Sequence, residues 1–383
     1  MARLQPLAVF SFAAVHLLLF SICPVSSRIY ETNDAVIIEV TDIARAKDFG
    51  LSTTNFGFPG PIPMAYAVNP YMGLYYQQQQ PNFPFWPYPL LKPASISLSA
   101  ADVDKVTATS ADSRQQNIAC GVGPDAPPQR FFPDVSIVGG TEAVKNSWPF
   151  IVGLRRAGMN TIFCAGSIIS QTRILTAAHC VEKLSALDIL GLTVSLGMHT
   201  QGDGNTFQND AQQTRRITRV VYHKNYNFET SVNDIAVLTM DPPISYSKAI
   251  SPVCLPDFNT AADQFVDKDA AIIGWGRLNF GGQQPNALQQ ATVKITSKAD
   301  CTTAWASIAK IFNQHICTGA DGKDVCQGDS GGPLIVQPTE GSTAWTQVGI
   351  TSFGLSCPAE ANKPSVYANV ALFRKWIDTY MKS

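Results

Sequence analysis

The stretch Cys326 to Leu334 reads C-Q-G-D-S-G-G-P-L and constrains this chain more than any other. It sets one hydroxyl, that of Ser330, in a glycine-rich turn whose backbone can approach a substrate closely. A serine hydroxyl is a poor nucleophile at neutral pH, so attack on a carbonyl demands an adjacent base and donors for the oxyanion that forms. The backbone N–H groups of Gly328 and Ser330 are the candidate donors. On its own a Gly-Asp-Ser-Gly turn is commonplace, and catalysis is implied only by what accompanies it.

Two further motifs accompany it. Thr176 to Cys180 reads T-A-A-H-C directly after the strand-like run Arg173, Ile174, Leu175, which makes His179 the candidate base. Asn233 to Leu238 reads N-D-I-A-V-L, a carboxylate at the mouth of an apolar run, which makes Asp234 the candidate orienter. Alone, His179 reads as a structural histidine and Asp234 as a turn aspartate. With all three in the order His, Asp, Ser, the chain resembles the chymotrypsin and trypsin family of serine endopeptidases from Ile137 to Ser383.

The resemblance implies that His179 takes the Ser330 proton and later gives it to the leaving amine, while Asp234 fixes the imidazole tautomer and stabilises its cation. It also implies the fold class: all-β, two six-stranded antiparallel β-barrels side by side with a C-terminal α-helix. His179 and Asp234 would come from the first barrel and Ser330 from the second. The residues agree with a barrel architecture. Short strand-like runs, among them Ile151 to Leu154, Cys164 to Ile169, Ala270 to Trp275 and Leu334 to Val336, alternate with turn residues. Phe373, Trp376, Ile377 and Tyr380 recur at helical spacing, as a helix packed on a barrel requires.

The 383 residues exceed one ordinary domain. Arg3, the apolar run Leu7 to Ile22 and the small residues Val25, Ser26 and Ser27 read as a signal peptide over residues 1–27, hence a secreted, extracellular protein. Residues 28–136 read as a prosegment, largely disordered. Asn55 to Pro93 alone holds nine prolines and ten aromatics around the glutamine run Gln77 to Gln80, with no period that a packed core needs. Ala35 to Val40 is its one strand-like piece and receives no role. Residues 137–383 form the catalytic domain.

Nine cysteines less Cys23 in the signal leave eight, an even number for an oxidising compartment. Spacing cannot choose among their pairings. The resemblance implies Cys164 with Cys180, Cys301 with Cys317, Cys326 with Cys357, and Cys120 with Cys254. No C-x-x-C pair exists and the histidines are scattered, so no metal site is expected. Met198 stands where calcium-binding relatives carry glutamate, which argues against calcium, and no organic cofactor is suggested.

Ile137 to Gly140 reads I-V-G-G, which in this family becomes a new N-terminus after one cut, its ammonium pairing with Asp329 beside Ser330. The residue before it is Ser136, where relatives activated by trypsin-like enzymes carry Arg or Lys; a protease accepting a small polar residue is therefore expected as activator.

By the same alignment Asp324 lies at the base of the specificity pocket, with Val325, Ser352, Gly354 and Ser365 around it. A carboxylate there attracts Arg or Lys. Val325 and Ser365 consume pocket volume, so the alternative is a narrowed pocket with non-tryptic preference. The resemblance implies protein or peptide substrates, an activating protease and protein inhibitors as partners. A net charge of −1 gives no reason to expect nucleic acid or an anionic membrane. The rival from another class is a non-catalytic secreted binding homologue, which loss of any of His179, Asp234, Ser330 or Gly328 would have favoured.

Overall fold

The computed structural model describes residues 25–42, 119–125, 127, 140–159, 161–202, 209–261, 263–277, 282–319, 328–337, 342, 344–354 and 363–382. Ser136, Ile137, Asp324, Val325, Cys326 and Cys357 lie outside the described residues, as do residues 43–118.

The chain begins with β1 (Val25–Glu31) and β2 (Ala35–Asp42), followed by the two-residue β3 (Thr141–Glu142). Six strands then build the first barrel: β4 (Ile151–Arg155), β5 (Cys164–Ile168), β6 (Arg173–Thr176), β7 (Thr193–Leu196), β8 (Gln213–His223) and β9 (Ala236–Asp241). The helix α1 (Ala186–Leu190) lies between β6 and β7 and is capped by Ser185 and Asp188 in a reciprocal box. Neighbours run β8-β7-β4-β5-β6-β9, and β8 pairs back to β9, so the barrel is closed and antiparallel throughout. Every residue of β4 and β5 is buried, as expected of strands with one face inside the barrel and the other covered.

The second barrel comprises β10 (Asp269–Gly274), β11 (Gln289–Thr296), β12 (His315–Thr318), β13 (Pro333–Val336), β14 (Thr346–Phe353) and β15 (Ser365–Asn369), with α2 (Lys298–Trp305) before β12. Its order is β10-β13-β14-β15-β12-β11, closed by β10 against β11, and β3 joins the outer part of β11. Ala270, Ile272, Val293, Ile295, Leu334 and Val348 fill it. The last element, α3 (Val370–Lys382), buries Phe373, Trp376, Ile377 and Tyr380 in one stripe, the pattern read from the sequence. Among the contacts that fasten the barrels, buried Ser167 of β5 donates to Gln347 of β14, and Trp148 meets Trp345 edge to face at 4.9 Å.

One region differs from the sequence reading. Residues 25–42 are not disordered. They form an antiparallel hairpin, and β2 extends the first barrel's sheet by pairing Ala35 to Glu39 with His223 to Arg219 of β8. Ala35, Ile37, Ile38 and Val40 are buried in the same core as the barrel. The strand-like character of Ala35 to Val40 was legible; its partner, far along the chain, was not. β1 starts at Val25, inside the stretch read as signal peptide.

The structure bonds Cys120 to Cys254, Cys164 to Cys180 and Cys301 to Cys317.

Candidate active site

His179 sits in a single 3-10 turn, Ala178–Cys180, immediately after β6. The sequence makes this turn tight with buried Ala177 and Ala178, which leave no side-chain bulk under the histidine. The Cys164–Cys180 bridge holds the adjoining residue to β5. These two sulfurs lie near the His179 ring as a potential ligand cluster, but they are bonded to each other and not thiolates.

Asp234 precedes β9 and follows Asn233, whose φ of 61° is a left-handed conformation that asparagine tolerates better than most residues. The turn aims the carboxylate inwards, where it is 0% exposed. Its oxygens are all engaged: Oδ1 accepts the His179 backbone N–H at 2.9 Å, and Oδ2 accepts His179 Nδ1 at 2.8 Å and the Ser352 hydroxyl. A carboxylate only accepts, so Nδ1 carries the proton and Nε2 is the basic nitrogen. Burial opposes a charge on the His179 ring, but the Asp234 charge and hydrogen bond outweigh it, and the pKa lies above the ordinary histidine value.

Ser330 belongs to the turn leading into β13. Gly331, with φ of 78°, is bound through its N–H to Thr351 O at 2.9 Å, and a Cβ there would overlap Thr176 and Ala165 of the first barrel. The Ser330 carbonyl accepts from Ala165 N at 2.8 Å, so the serine's own backbone is tied to the histidine's barrel. Gly328 has φ of 112°, open to glycine alone. Among the described residues, the N–H groups of Gly328 and Ser330 donate to no protein acceptor. Nor does any hydrogen bond join Ser330 Oγ to His179 Nε2 there; in unliganded serine enzymes this bond is commonly long.

Asp329 is 2% exposed and its Oδ1 accepts Gly276 N–H at 2.7 Å. A Cβ on either Gly274 or Gly276 would overlap this carboxylate, so the two glycines make its seat. Ser352 ends up against Asp234, while Gly354 follows β14 and Ser365 opens β15. Ser365 is 3% exposed, and among the described residues its hydroxyl has no hydrogen-bond partner. The described part of the loop after Met198 holds one carboxylate, Asp210, which accepts from His199 N, Thr200 N and Lys145 Nζ.

Sequence reasoning missed several contacts of this site. Ser352 was read as a pocket residue and is also a direct partner of Asp234. Gln284 lies against Gly328 and donates to Ile162 O at 2.9 Å, bridging the barrels beside the turn. His315 of β12 approaches the Asp234 loop through Ser231 O at 3.2 Å, while Gln314 bonds Asn233 at 3.1 Å. No local motif marks any of them; each is defined by a partner distant in sequence.

Two closed antiparallel barrels, with an imidazole and buried carboxylate on one and a serine in a glycine turn on the other, define the class of two-barrel serine endopeptidases. The trypsin family model matches residues 137–377, and the chain belongs to that family. It is 34% identical to trypsin alpha of Drosophila melanogaster over 264 residues, covering 68% of this chain and 93% of that one. It is also 32% identical to the proclotting enzyme of Tachypleus tridentatus over 256 residues, covering 64% and 66%. The serine proteinase stubble of Drosophila melanogaster matches at 30% over 315 residues, covering 80% of this chain and 38% of that protein. The chain is a trypsin-like serine endopeptidase. Among the described residues no helix is long and apolar enough to cross a membrane.

Proposed function

We propose that the chain is made as a secreted zymogen and, once cut before Ile137, hydrolyses peptide bonds after Arg or Lys through an acyl-enzyme. The observation that carries the reading is the fully engaged Asp234 carboxylate, which commits His179 Nδ1 as donor and leaves Nε2 to accept the Ser330 proton. Attack of Ser330 Oγ on the scissile carbonyl gives a tetrahedral intermediate whose oxyanion takes the two free N–H groups of Gly328 and Ser330. The imidazolium, held by Asp234, gives its proton to the leaving amine. Water, deprotonated by the same nitrogen, then hydrolyses the ester, and Ser330 recovers its proton.

By the family resemblance specificity rests on Asp324, whose charge would attract a cationic side chain. Ser365 favours the second reading, a narrowed pocket with another preference, because by the family alignment its buried side chain takes up pocket volume, and among the described residues its hydroxyl has no partner. Latency is read from Asp329: by the family resemblance the freed Ile137 ammonium pairs with this buried carboxylate beside Ser330, and that pairing, which fixes the Ser330 turn, forms only after the cut. Ser136 makes direct activation by trypsin unfavourable, and appearance of Ile137 as the sequenced N-terminus after trypsin treatment would refute that.

The test of the whole is a peptide library varied at the residue before the scissile bond, applied to enzyme whose Ile137 end is generated by an engineered site, with Ser330→Ala as control. Cleavage after Arg and Lys, lost in the control, is expected. Cleavage elsewhere assigns the narrowed pocket, and no cleavage returns the binding homologue.

A further inference from the structure

We propose that the β1–β2 hairpin is a permanent part of the mature enzyme, held without a covalent bond on the outer edge of β8, so that the activating cut frees Ile137 without releasing what precedes it. The inference rests on the proposed cut before Ile137.

The docking edge is built for an occupant. β7 pairs with β8 only from Gln213 to Arg216, and it is β2 that pairs with β8 from Arg219 to His223. An open edge next to buried Val220 and Val221 is an aggregation hazard, and β2 closes it. β2 itself behaves as an interior strand: Ala35, Ile37, Ile38 and Val40 belong to one core with Ile189 of α1 and Trp376 of α3. β1, by contrast, is exposed, with Ile29 65% accessible. A free two-stranded hairpin is marginally stable at best, so its order here derives from docking.

A polar clamp fixes the tip. Asp34 O accepts from Lys224 N at 3.0 Å and Trp376 Nε1 at 3.2 Å, while Asp34 Oδ1 accepts the Tyr380 hydroxyl at 2.6 Å. Lys224 also pairs with Glu31 at 2.7 Å, and Arg219 with Glu39 at 3.2 Å. Removal of residues 1–27 leaves the pairs Arg28 with Glu39, Ile29 with Ile38, Tyr30 with Ile37 and Glu31 with Val36 intact.

The other end is anchored too. Cys120 is bonded to Cys254, Gly121 exchanges backbone bonds with Pro252 and Trp345, and Trp345 Nε1 donates to Pro124 O at 2.8 Å. The chain is thereby held to the catalytic body on both sides of residues 43–118. Breaking the Cys120–Cys254 bridge after activation does not release the hairpin.

The test uses the full chain carrying Ser330→Ala and a site for a sequence-specific protease inserted between residues 60 and 61. Cutting there leaves the hairpin with no covalent link to the catalytic body. On native size exclusion the N-terminal fragment is expected to elute with the body and to separate only in denaturant. Elution as a free peptide overturns the proposal. Tyr380→Phe, which removes the hydroxyl from the clamp and leaves the core stripe, should raise the fragment's dissociation constant roughly tenfold; an unchanged constant overturns the clamp. Because the nick avoids the Ser136–Ile137 bond and the nucleophile is absent, failure here is distinct from failure of the activation scheme.

Discussion

His179 and His315 feel the same carboxylate and are driven in opposite directions. The His179 side chain, 22% exposed, bonds Asp234 directly and has its pKa raised. His315 is 2% exposed, stands between the rings of Phe312 and Phe353 at 5.8 and 5.6 Å, and is pushed down to about 4. Burial is the main cause, with Lys298 adding to it, while the bond to Ser231 O and the more distant Asp234 charge act the other way without prevailing. The lesson is that burial sets the default for an imidazole and only a directly bonded anion reverses it. One histidine is kept ready to accept a proton, the other is kept from doing so.

The strongest way to break the comparison is Asp234→Asn. It removes the anion while leaving most of the shape. An amide that donates to Nδ1 imposes the wrong tautomer on His179, and kcat/KM should fall on the order of 10⁴-fold, about 5 kcal/mol. The acid limb of any remaining activity should move to lower pH, since the raised pKa of His179 depends on that charge. His315 should hardly respond, as Asp234 is the least of its influences. NMR titration of both rings would read this directly, and parallel shifts of similar size would defeat the contrast drawn between them.

His315 carries the next largest effect, on stability. Its folded pKa lies below the unfolded value near 6.5, so the unfolded chain takes the proton first as pH falls. Its linkage should therefore cost about 3 kcal/mol between pH 6.5 and pH 4. His179 has the opposite sign: its raised pKa adds stability below pH 6.5 that is lost as pH rises through the folded value. His315→Gln retains a donor for Ser231 O and cannot titrate. Urea unfolding of Ser330→Ala chains should show a shallower acid decline for His315→Gln than for His315; equal slopes would mean that His315 is not a buried neutral group.

These two histidines also mark what the sequence makes legible. His179, Asp234 and Ser330, the proposed triad, stand in short motifs whose residue types that chemistry would fix; the short apolar runs between turn residues point to a β-barrel architecture, while the two six-stranded barrels were implied by the family resemblance. His315 lies in the unremarkable run Gln314 to Cys317, and its role exists only because β12 is brought beside the Ser231 to Asn233 turn. The hairpin is the same case at larger scale. Ala35 to Val40 has the composition of a strand, but whether a lone strand is buried depends on an open edge elsewhere, here Arg219 to His223. Local pattern gives the element, and long-range pairing gives its meaning.

The smallest expected effect sharpens the comparison at its centre. Ser352 donates to the same Asp234 oxygen that accepts His179 Nδ1, so hydroxyl and imidazole share one site of negative charge. Removing the hydroxyl in Ser352→Ala leaves more of that charge to the imidazole, which favours its protonated form. The acid limb of kcat/KM should therefore move to higher pH, the reverse of its movement in Asp234→Asn. On the plateau above the acid limb of each profile, the loss should be tenfold or less, on the order of 1 kcal/mol, through looser orientation of the carboxylate. A pH profile on one peptide substrate separates the outcomes. A limb that moves to lower pH, or stays in place while the plateau rate falls, would mean that Ser352 serves the substrate cleft and not the charge on Asp234.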